Sequence, residues 1–327
     1  MLMNLLLKRV YYIGAIFYGN NPFYPTEDLG TSGVLPDFGS KRIRLWWGVQ
    51  YNELCEHGLE MIWQDMTTPA LKEYDLRLDD ETTLKWRTFP PDLLLLDNHV
   101  KKYTHQSSQG HRSPFAKIHN LYSYNLHKAT FHGLNQIQVH SNKRNFIIGR
   151  GGFAGLHRYA GLWTGDNGSN WQFLRITLPQ IINLGLSAES FCGADVGGFE
   201  SETYQYKIDA DRYFAKRVEG DQAIPDPELL MRWTMLGAFL PWFRNHYNGR
   251  YKNFQEPYAY QCVDPRVLPV CKHFIELRYQ FLQLFYDAMH ENARTGIPIV
   301  RPLFLHDHDS RLFDDDMQYF LDTEFLV

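Results

Sequence analysis

The chain has 327 residues, a net charge of −4, and 44% hydrophobic against 21% charged residues. This composition is typical of a folded protein with a large core, and it argues against a nucleic-acid partner or an anionic membrane surface, which usually require basic proteins. Four cysteines without a CxxC pair argue against a disulfide scaffold or zinc ribbon, and the lack of a membrane-spanning run or a signal-peptide pattern favours a cytoplasmic protein.

A helix that ends at a glycine, followed by a short apolar strand, recurs four times along the chain. The helices are predicted over residues 41–57, 117–132, 171–184 and 270–295, the glycines are Gly58, Gly133, Gly185 and Gly296, and the strands cover residues 59–63, 145–148, 190–192 and 297–300. Glycine at these points favours the left-handed conformation that ends a helix. Another helix begins at Asp226-Pro227-Glu228 and extends to about residue 240, because an N-cap aspartate followed by proline is typical of a first turn.

The last of the four helices carries apolar residues at helical spacing, which predicts one buried face. These residues are Phe274, Leu277, Phe281, Leu284 and Ala288.

Polar residues follow the predicted strands. They are Asp65, Arg150, Asp195 and Arg301. Alternating helices and strands predict a parallel sheet, and polar residues at the carboxyl ends of its strands are typical of the catalytic face of a (β/α)8 TIM-type barrel. A doubly wound sheet is the alternative, although no GxGxxG or P-loop motif supports it. Two polar stretches, at about residues 71–113 and 200–223, are predicted to be excursions from the barrel.

Two segments place an acid beside a tryptophan: Trp63 precedes Asp65, and Trp163 precedes Asp166. Two carboxylates between aromatic walls are what glycosidic bond cleavage requires, with one as nucleophile and the other as acid and then base. Acids and tryptophans at strand ends are also often structural, so spacing alone leaves both interpretations open.

Longer motifs carry a resemblance to a known family. Around the second acid the chain contains Gly149-Arg150-Gly151, Arg158-Tyr159-Ala160-Gly161-Leu162-Trp163 and Gly165-Asp166-Asn167. In this order they resemble the acid/base region of glycoside hydrolase family 31, the α-glucosidase and α-xylosidase family. Further matching motifs are Pro36-Asp37-Phe38, Trp46-Trp47, Gly193-Ala194-Asp195-Val196-Gly197-Gly198-Phe199, Arg244-Asn245-His246, Gln255-Glu256-Pro257-Tyr258 and Arg301-Pro302-Leu303-Phe304.

The resemblance covers residues 30–327 and leaves residues 1–29 unassigned. It implies a partial catalytic barrel, with the early strands and the flanking β-domains of the parent enzyme missing. It also implies that Asp65 is the nucleophile and Asp166 the acid/base. No cofactor and no metal ion is implied. The positions that match the sugar subsite are Trp63, Arg150, Trp163, Phe199 and His246, with Asp195 as a supporting acid.

The nucleophile segment Trp63-Gln64-Asp65-Met66-Thr67-Thr68 departs from the Asp-Met-Asn-Glu form of family 31 glucosidases. It is similar to that of the α-1,4-glucan lyases of fungi and red algae. The resemblance implies an exo-acting lyase that degrades starch- or glycogen-type α-glucans and maltooligosaccharides from the non-reducing end to 1,5-anhydrofructose, through a covalent glycosyl-enzyme in which Asp65 later acts as base. The alternatives are a retaining α-glucosidase with the same two acids, and an inactive carbohydrate-binding remnant that lacks the missing parts of the parent enzyme.

Overall fold

The computed structural model describes residues 36–68, 74–77, 83–86, 94–96, 112–200, 226–248, 255–260, 263–307, 309–323 and 325–327. The chain divides into two compact units, Met1–Ala160 and Gly161–Val327. The segment 1–29 and most of both predicted excursions lie outside the described residues. None of the helices in the described ranges combines the length and apolar character that a bilayer crossing requires.

The first unit contains three helices and six strands in its described part. The helices are α1 (Lys41–Val49), α2 (Asn52–Glu56) and α3 (Phe115–Leu134). The strands are β1 (Met61–Gln64), β2 (Tyr74–Arg77), β3 (Thr83–Trp86), β4 (Leu94–Leu96), β5 (Arg112–Pro114) and β6 (Phe146–Gly149). Strands β1 and β6 are parallel, with Gln64 opposite Gly149. The other strands form two antiparallel pairs, β2 with β3 and β4 with β5.

Helices α1 and α3 cross at two glycines. A Cβ atom built on Gly133 would lie 2.0 Å from the Cα of Gly48, so the two backbones touch. The prediction that Gly133 ends its helix is therefore wrong, because this glycine lies inside α3 and serves close packing. By contrast, Gly58 adopts φ +95° after α2, which confirms the predicted left-handed turn there.

The predicted helix over residues 41–57 is broken between Val49 and Asn52. At the break, Tyr51 directs its hydroxyl to the buried Gln64, whose amide donates to it at 3.0 Å. Apolar side chains from α1, from α3 and from the segment before α1 form a core cluster of this unit. They are Phe38, Ile43, Phe115, Ile118, Tyr122, Leu126 and Ala129.

The second unit contains four helices and seven strands in its described part. The helices are α4 (Trp171–Leu186), α5 (Pro227–Ala238), α6 (Val267–Gln280) and α7 (Leu282–Thr295). The strands are β7 (Gly161–Trp163), β8 (Cys192–Gly193), β9 (Asp195–Val196), β10 (Arg244–Asn245), β11 (Val300–Pro302), β12 (Tyr319–Leu321) and β13 (Phe325–Leu326). Strands β7 and β8 are parallel, as are β9 and β10, whereas β11, β12 and β13 form an antiparallel sheet. A core cluster of the second unit contains Ala194, Val196, Leu229 and Trp233.

Caps behave as predicted at two of the helix ends. The Asp226 carboxylate accepts from the N–H of Glu228 at 3.0 Å, which confirms the start of α5. Gly296 ends α7 with φ +79°. Gly185, in contrast, lies inside α4, so its predicted role as a terminator is wrong. A Cβ atom there would lie 3.2 Å from Pro298, and the glycine thus lets α4 pack closely on the segment before β11.

The predicted helix over residues 270–295 is two helices that meet at Phe281. Of the five residues of the predicted buried face, Ala288 is fully buried and the other four are half-buried. Between two of these positions, Arg278 donates to the carbonyl oxygens of Ala238 and Leu240 at 2.9 and 2.7 Å. The Arg278 side chain thus caps the carboxyl end of α5. Burial lowers the pKa of Arg278 to about 10.

Arg301 does not follow its strand as predicted. It lies within β11, fully buried, and pairs with Glu291 and Asp322. The ionic group joins α7 to the turn after β12, so Arg301 has a structural position and does not belong to the functional face.

Candidate active site

In the first unit, Asp65 and Arg150 follow directly after the paired strands β1 and β6. The register that places Gln64 opposite Gly149 brings the next two residues together. Arg150 donates its backbone N–H to the carbonyl of Gln64 at 3.2 Å, and its guanidinium Nη1 lies 3.2 Å from Oδ1 of Asp65. Two of the predicted site residues therefore form an ion pair at the carboxyl ends of adjacent parallel strands.

The Asp65 carboxylate is oriented from its own backbone as well. Oδ1 accepts from the N–H of Met66 at 2.6 Å. Met66 adopts φ +57°, a left-handed conformation that costs a non-glycine residue roughly 1–2 kcal/mol. The side chain of Asp65 is 39% exposed and that of Arg150 is 25% exposed, so solvent and a ligand have access to both charges.

Thr67, which replaces the asparagine of the glucosidase motif, is buried. Its hydroxyl accepts from the N–H of Gly151 at 3.0 Å, and its carbonyl accepts from the hydroxyl of Ser123 at 2.6 Å. The residue two positions after the candidate nucleophile thus supports the loop from inside.

Beneath this loop, Gln64 and His127 are buried together. His127 Nδ1 lies 2.6 Å from Oε1 of Gln64, and Nε2 lies 3.0 Å from the carbonyl oxygen of Gly151. The Gln64 amide also reaches Thr130 at 2.6 Å. Burial lowers the pKa of His127 to about 4, against a smaller opposing effect of the Gly151 hydrogen bond. His127 is therefore neutral at neutral pH.

Trp63 lies between two buried residues of β1, Ile62 and Gln64, and is itself only partly buried. Because successive side chains of a strand point to opposite faces, its ring is on the other face from Gln64. Its assignment to the sugar subsite stays a prediction.

In the second unit, Asp166 follows β7 and is exposed. Its neighbour Asn167 is buried and holds the loop in place. The Asn167 amide donates to the carbonyl of Asp195 at 3.0 Å, and its carbonyl oxygens accept from the N–H of Phe199, at 2.8 Å for the backbone and 3.2 Å for the side chain. The candidate acid/base is thus attached to the segment that carries two other predicted site residues.

Asp195 begins β9, two residues after the end of β8, and its side chain is 1% exposed. It pairs with Arg244 at the start of β10, and the Arg244 guanidinium lies 5.8 Å from the centroid of the Trp163 ring. Trp163 is itself buried. An arginine on an aromatic face beside a buried carboxylate is a favourable charge arrangement.

Phe199 and His246 stack, with ring centroids 5.0 Å apart and an interplanar angle of 22°. Next to His246 lies a cavity of about 300 Å³ lined by Asn245, His246, Tyr247, Gln255, Glu256 and Pro257. This volume is at the lower end of the range for small-molecule sites. The structure therefore brings together two pairs of predicted site residues in this unit. Arg244 links Asp195 to Trp163, and Phe199 stacks on His246.

Among the described residues, no group of three or more His, Cys, Asp or Glu side chains is arranged to hold a metal ion.

Comparison with known proteins identifies the family of the chain. The sequence profile of the Glycosyl hydrolases family 31 TIM-barrel domain matches residues 8–288. The chain belongs to glycoside hydrolase family 31. The family 31 catalytic domain is a (β/α)8 barrel, and the predicted fold class and family are both confirmed.

Family 31 relatives include hydrolases and a lyase. The chain is 34% identical over 316 residues to Alpha-glucosidase 2 of Bacillus thermoamyloliquefaciens, a match that covers 97% of this chain and 32% of that enzyme. It is 31% identical to Neutral alpha-glucosidase AB of Dictyostelium discoideum, covering 91% of this chain and 27% of that protein. The α-1,4-glucan lyase of Gracilariopsis lemaneiformis, solved as a covalent intermediate complex, superposes with a TM-score of 0.76 and 25% identity, over 98% of this chain and 33% of the lyase. The chain thus spans about a third of the length of these family 31 relatives.

Several residues that shape this candidate site were not singled out from the sequence. Arg244 belongs to a matching motif, but its position against Asp195 depends on the pairing of β9 with β10. Asn167 directly follows Asp166, the candidate acid/base, in the motif Gly165-Asp166-Asn167, and its adjacency is a signal that sequence reasoning could have used. His127 lies in the middle of a helix, where nothing in the sequence distinguishes it from a core histidine.

Proposed function

We propose that this family 31 chain carries the catalytic centre of an α-1,4-glucan lyase, with Asp65 as nucleophile and base and Asp166 as acid/base. The observation that carries the proposal is the placement of Asp65. Its carboxylate follows a parallel strand, is partly exposed, and is held by the N–H of Met66 and the guanidinium of Arg150. A carboxylate oriented in this way is suited to attack an anomeric carbon.

In the first step, an Asp65 oxygen bonds to the anomeric carbon while the bond from that carbon to the leaving oxygen breaks. Asp166 donates its proton to the leaving oxygen, and the shortened glucan departs. The product is a glycosyl ester of Asp65.

In the second step, the ester bond breaks and the released carboxylate removes the proton on C2, so that a double bond forms between C1 and C2. The resulting enol rearranges to 1,5-anhydrofructose. No water molecule is consumed. To complete the cycle, Asp65 gives its proton to solvent and Asp166 takes one up from solvent. The substrate class is an α-glucan or a maltooligosaccharide.

Two observations support elimination over hydrolysis. Thr67 and Thr68 replace the amide and the carboxylate that follow the nucleophile in the glucosidase motif, and the hydroxyl of Thr67 is bound by the N–H of Gly151. A polar group that could hold a hydrolytic water is thereby replaced by a residue engaged in the protein interior. The superposition on the Gracilariopsis lyase supports the same outcome.

A retaining α-glucosidase is the second candidate. The relatives named Alpha-glucosidase 2 and Neutral alpha-glucosidase AB favour it. Both reactions share the first step. In hydrolysis a water molecule then attacks the glycosyl ester, whereas in elimination the ester carboxylate leaves and removes the proton on C2.

Product analysis distinguishes the two candidates. The protein is incubated with maltotetraose, and the products are separated and identified by mass spectrometry. Elimination yields 1,5-anhydrofructose, whereas hydrolysis yields glucose, which is heavier by one molecule of water. Glucose as the sole monosaccharide product would refute the lyase and leave the glucosidase. The variant Asp65→Asn is the control for both, and absence of any product with the unsubstituted protein would favour the inactive carbohydrate-binding remnant.

A further inference from the structure

A buried group of hydrogen bonds joins the two strand ends that carry Asp65 and Arg150. We infer that this group positions the Asp65 carboxylate for the first chemical step, an inference that rests on the proposed role of Asp65 as nucleophile. We call the group the strand-end clamp, and its members are Gln64, Thr67, Ser123, His127 and Gly151.

The first connection of the strand-end clamp passes through His127. This residue of α3 reaches Gln64, the last residue of β1, with one ring nitrogen and the carbonyl of Gly151, beyond the end of β6, with the other. A Cβ atom on Gly149 would lie 2.2 Å from the His127 ring. The imidazole is therefore pressed against the backbone of β6, and glycine at this position makes the contact sterically feasible.

The second connection passes through Thr67. Its hydroxyl accepts from Gly151 at 3.0 Å, and its carbonyl accepts from Ser123 of α3 at 2.6 Å. The loop after β1 and the loop after β6 are thus bonded to each other and to the same helix. Asp65 and Arg150 lie within these two loops.

The exposed ion pair alone does not define the geometry of Asp65. Ion pairs that solvent reaches contribute little to the stability of a defined geometry. The Asp65–Arg150 pair is of this kind, whereas the strand-end clamp is buried. A displacement of about 1 Å at a reacting group can lower a rate about 100-fold, so the rigid bonds beneath the loop have a direct bearing on the reaction.

The donor and acceptor pattern indicates how His127 acts. The two atoms that face the ring, Oε1 of Gln64 and the carbonyl oxygen of Gly151, are both acceptors, because the Gln64 amide nitrogen faces Tyr51 and Thr130 instead. The neutral ring carries a single N–H, which donates to one of these two oxygens at a time. His127→Gln retains a donor near Gly151, whereas His127→Phe fills the space without one. Thr67→Ser retains the hydroxyl, and Thr67→Val removes it at nearly equal volume.

The test measures the first step separately from folding. Each protein is treated with 5-fluoro-idosyl fluoride, the reagent of the lyase complex, and the labelled peptide is followed by mass spectrometry. The final stoichiometry counts folded active sites, and the rate constant reports how well Asp65 is positioned. His140→Gln is the matched control, because His140 is equally buried but binds Asn145, before the start of β6, at 3.0 Å.

We expect His127→Phe and Thr67→Val to lower the rate constant about 10- to 100-fold at unchanged stoichiometry, and His127→Gln and Thr67→Ser to stay within about fivefold of the original protein. His140→Gln should label at the original rate. If His127→Phe does not fold, Thr67→Val decides the question alone.

Lower stoichiometry with an unchanged rate constant would show a purely structural role and overturn the inference. Equal rates for Thr67→Val and Thr67→Ser would do the same. Failure of the unsubstituted protein to label on Asp65 would instead refute the proposed function, and the inference with it.

Discussion

The buried His127 makes the stability of this protein depend on pH in a specific window. Its pKa in the folded chain is lowered to about 4 by burial, whereas an unfolded histidine titrates near 6.5. Above about pH 6.5 His127 is neutral in both the folded and the unfolded chain, so its protonation does not reduce stability. As the pH falls from 6.5 to about 4, His127 becomes protonated in the unfolded chain but stays neutral in the folded chain, so the free energy of unfolding decreases over this range.

The size of the effect follows from the two pKa values. Each pH unit between them corresponds to about 1.4 kcal/mol, so the His127 ring accounts for a loss of about 3 kcal/mol between roughly pH 6.5 and pH 4. Carboxylates with lowered pKa values, such as Glu291 beside Arg301, also reduce stability as pH falls. Their contribution is the same in the original protein and in a variant without His127, so it cancels when the two proteins are compared.

Urea unfolding at a series of pH values measures this difference. The free energy of unfolding of the original protein should fall by about 3 kcal/mol more than that of His127→Gln between about pH 7.5 and pH 4. His57→Gln, which removes an exposed histidine, is the control and should parallel the original protein. Parallel curves for the original protein and His127→Gln, or an NMR titration of the folded His127 ring near 6.5, would refute the reasoning.

Four further substitutions test packing and side-chain contacts within the two units. Gly133→Ala should destabilise the fold by about 1–3 kcal/mol, because the added methyl group would clash with Gly48. Gly185→Ala should destabilise the fold less, because its nearest neighbour, Pro298, is farther away. Thermal unfolding of the two variants measures this difference. Arg244→Met leaves the Asp195 charge buried without its arginine and should cost about 3 kcal/mol in urea unfolding, whereas equal stability would show that Asp195 is held by other groups. Asn167→Ala should cost about 1–3 kcal/mol and lower kcat by loosening the Asp166 loop, with the exposed Asn120→Ala as control; an unchanged kcat would show that Asn167 does not position Asp166.

Local signals in the sequence determined where most elements lie. Strand β1 followed by Asp65, strand β6 followed by Arg150, and the Asp226 cap of α5 all lie where patterning predicts them. The ordered motifs determined the family as well, since each depends on residue identities that are readable without any contact.

Positions where a residue's role depends on a distant neighbour were decided by the tertiary structure alone. Gly133 and Gly185 look like helix terminators in the sequence, yet each lies within a helix and serves close packing. Arg301 resembles a strand-end residue, yet it pairs with Glu291 and Asp322.

The same distinction holds for the candidate site. The sequence by itself singled out Asp65 and Arg150, because acids and arginines at strand ends are a local pattern. Their direct pairing depends on the register of β1 with β6, and their support from beneath depends on His127, which is distant in the chain from Asp65. Such contacts arise only when separate segments are packed together, so the physical reason that Asp65 has a defined position is a property of the folded unit.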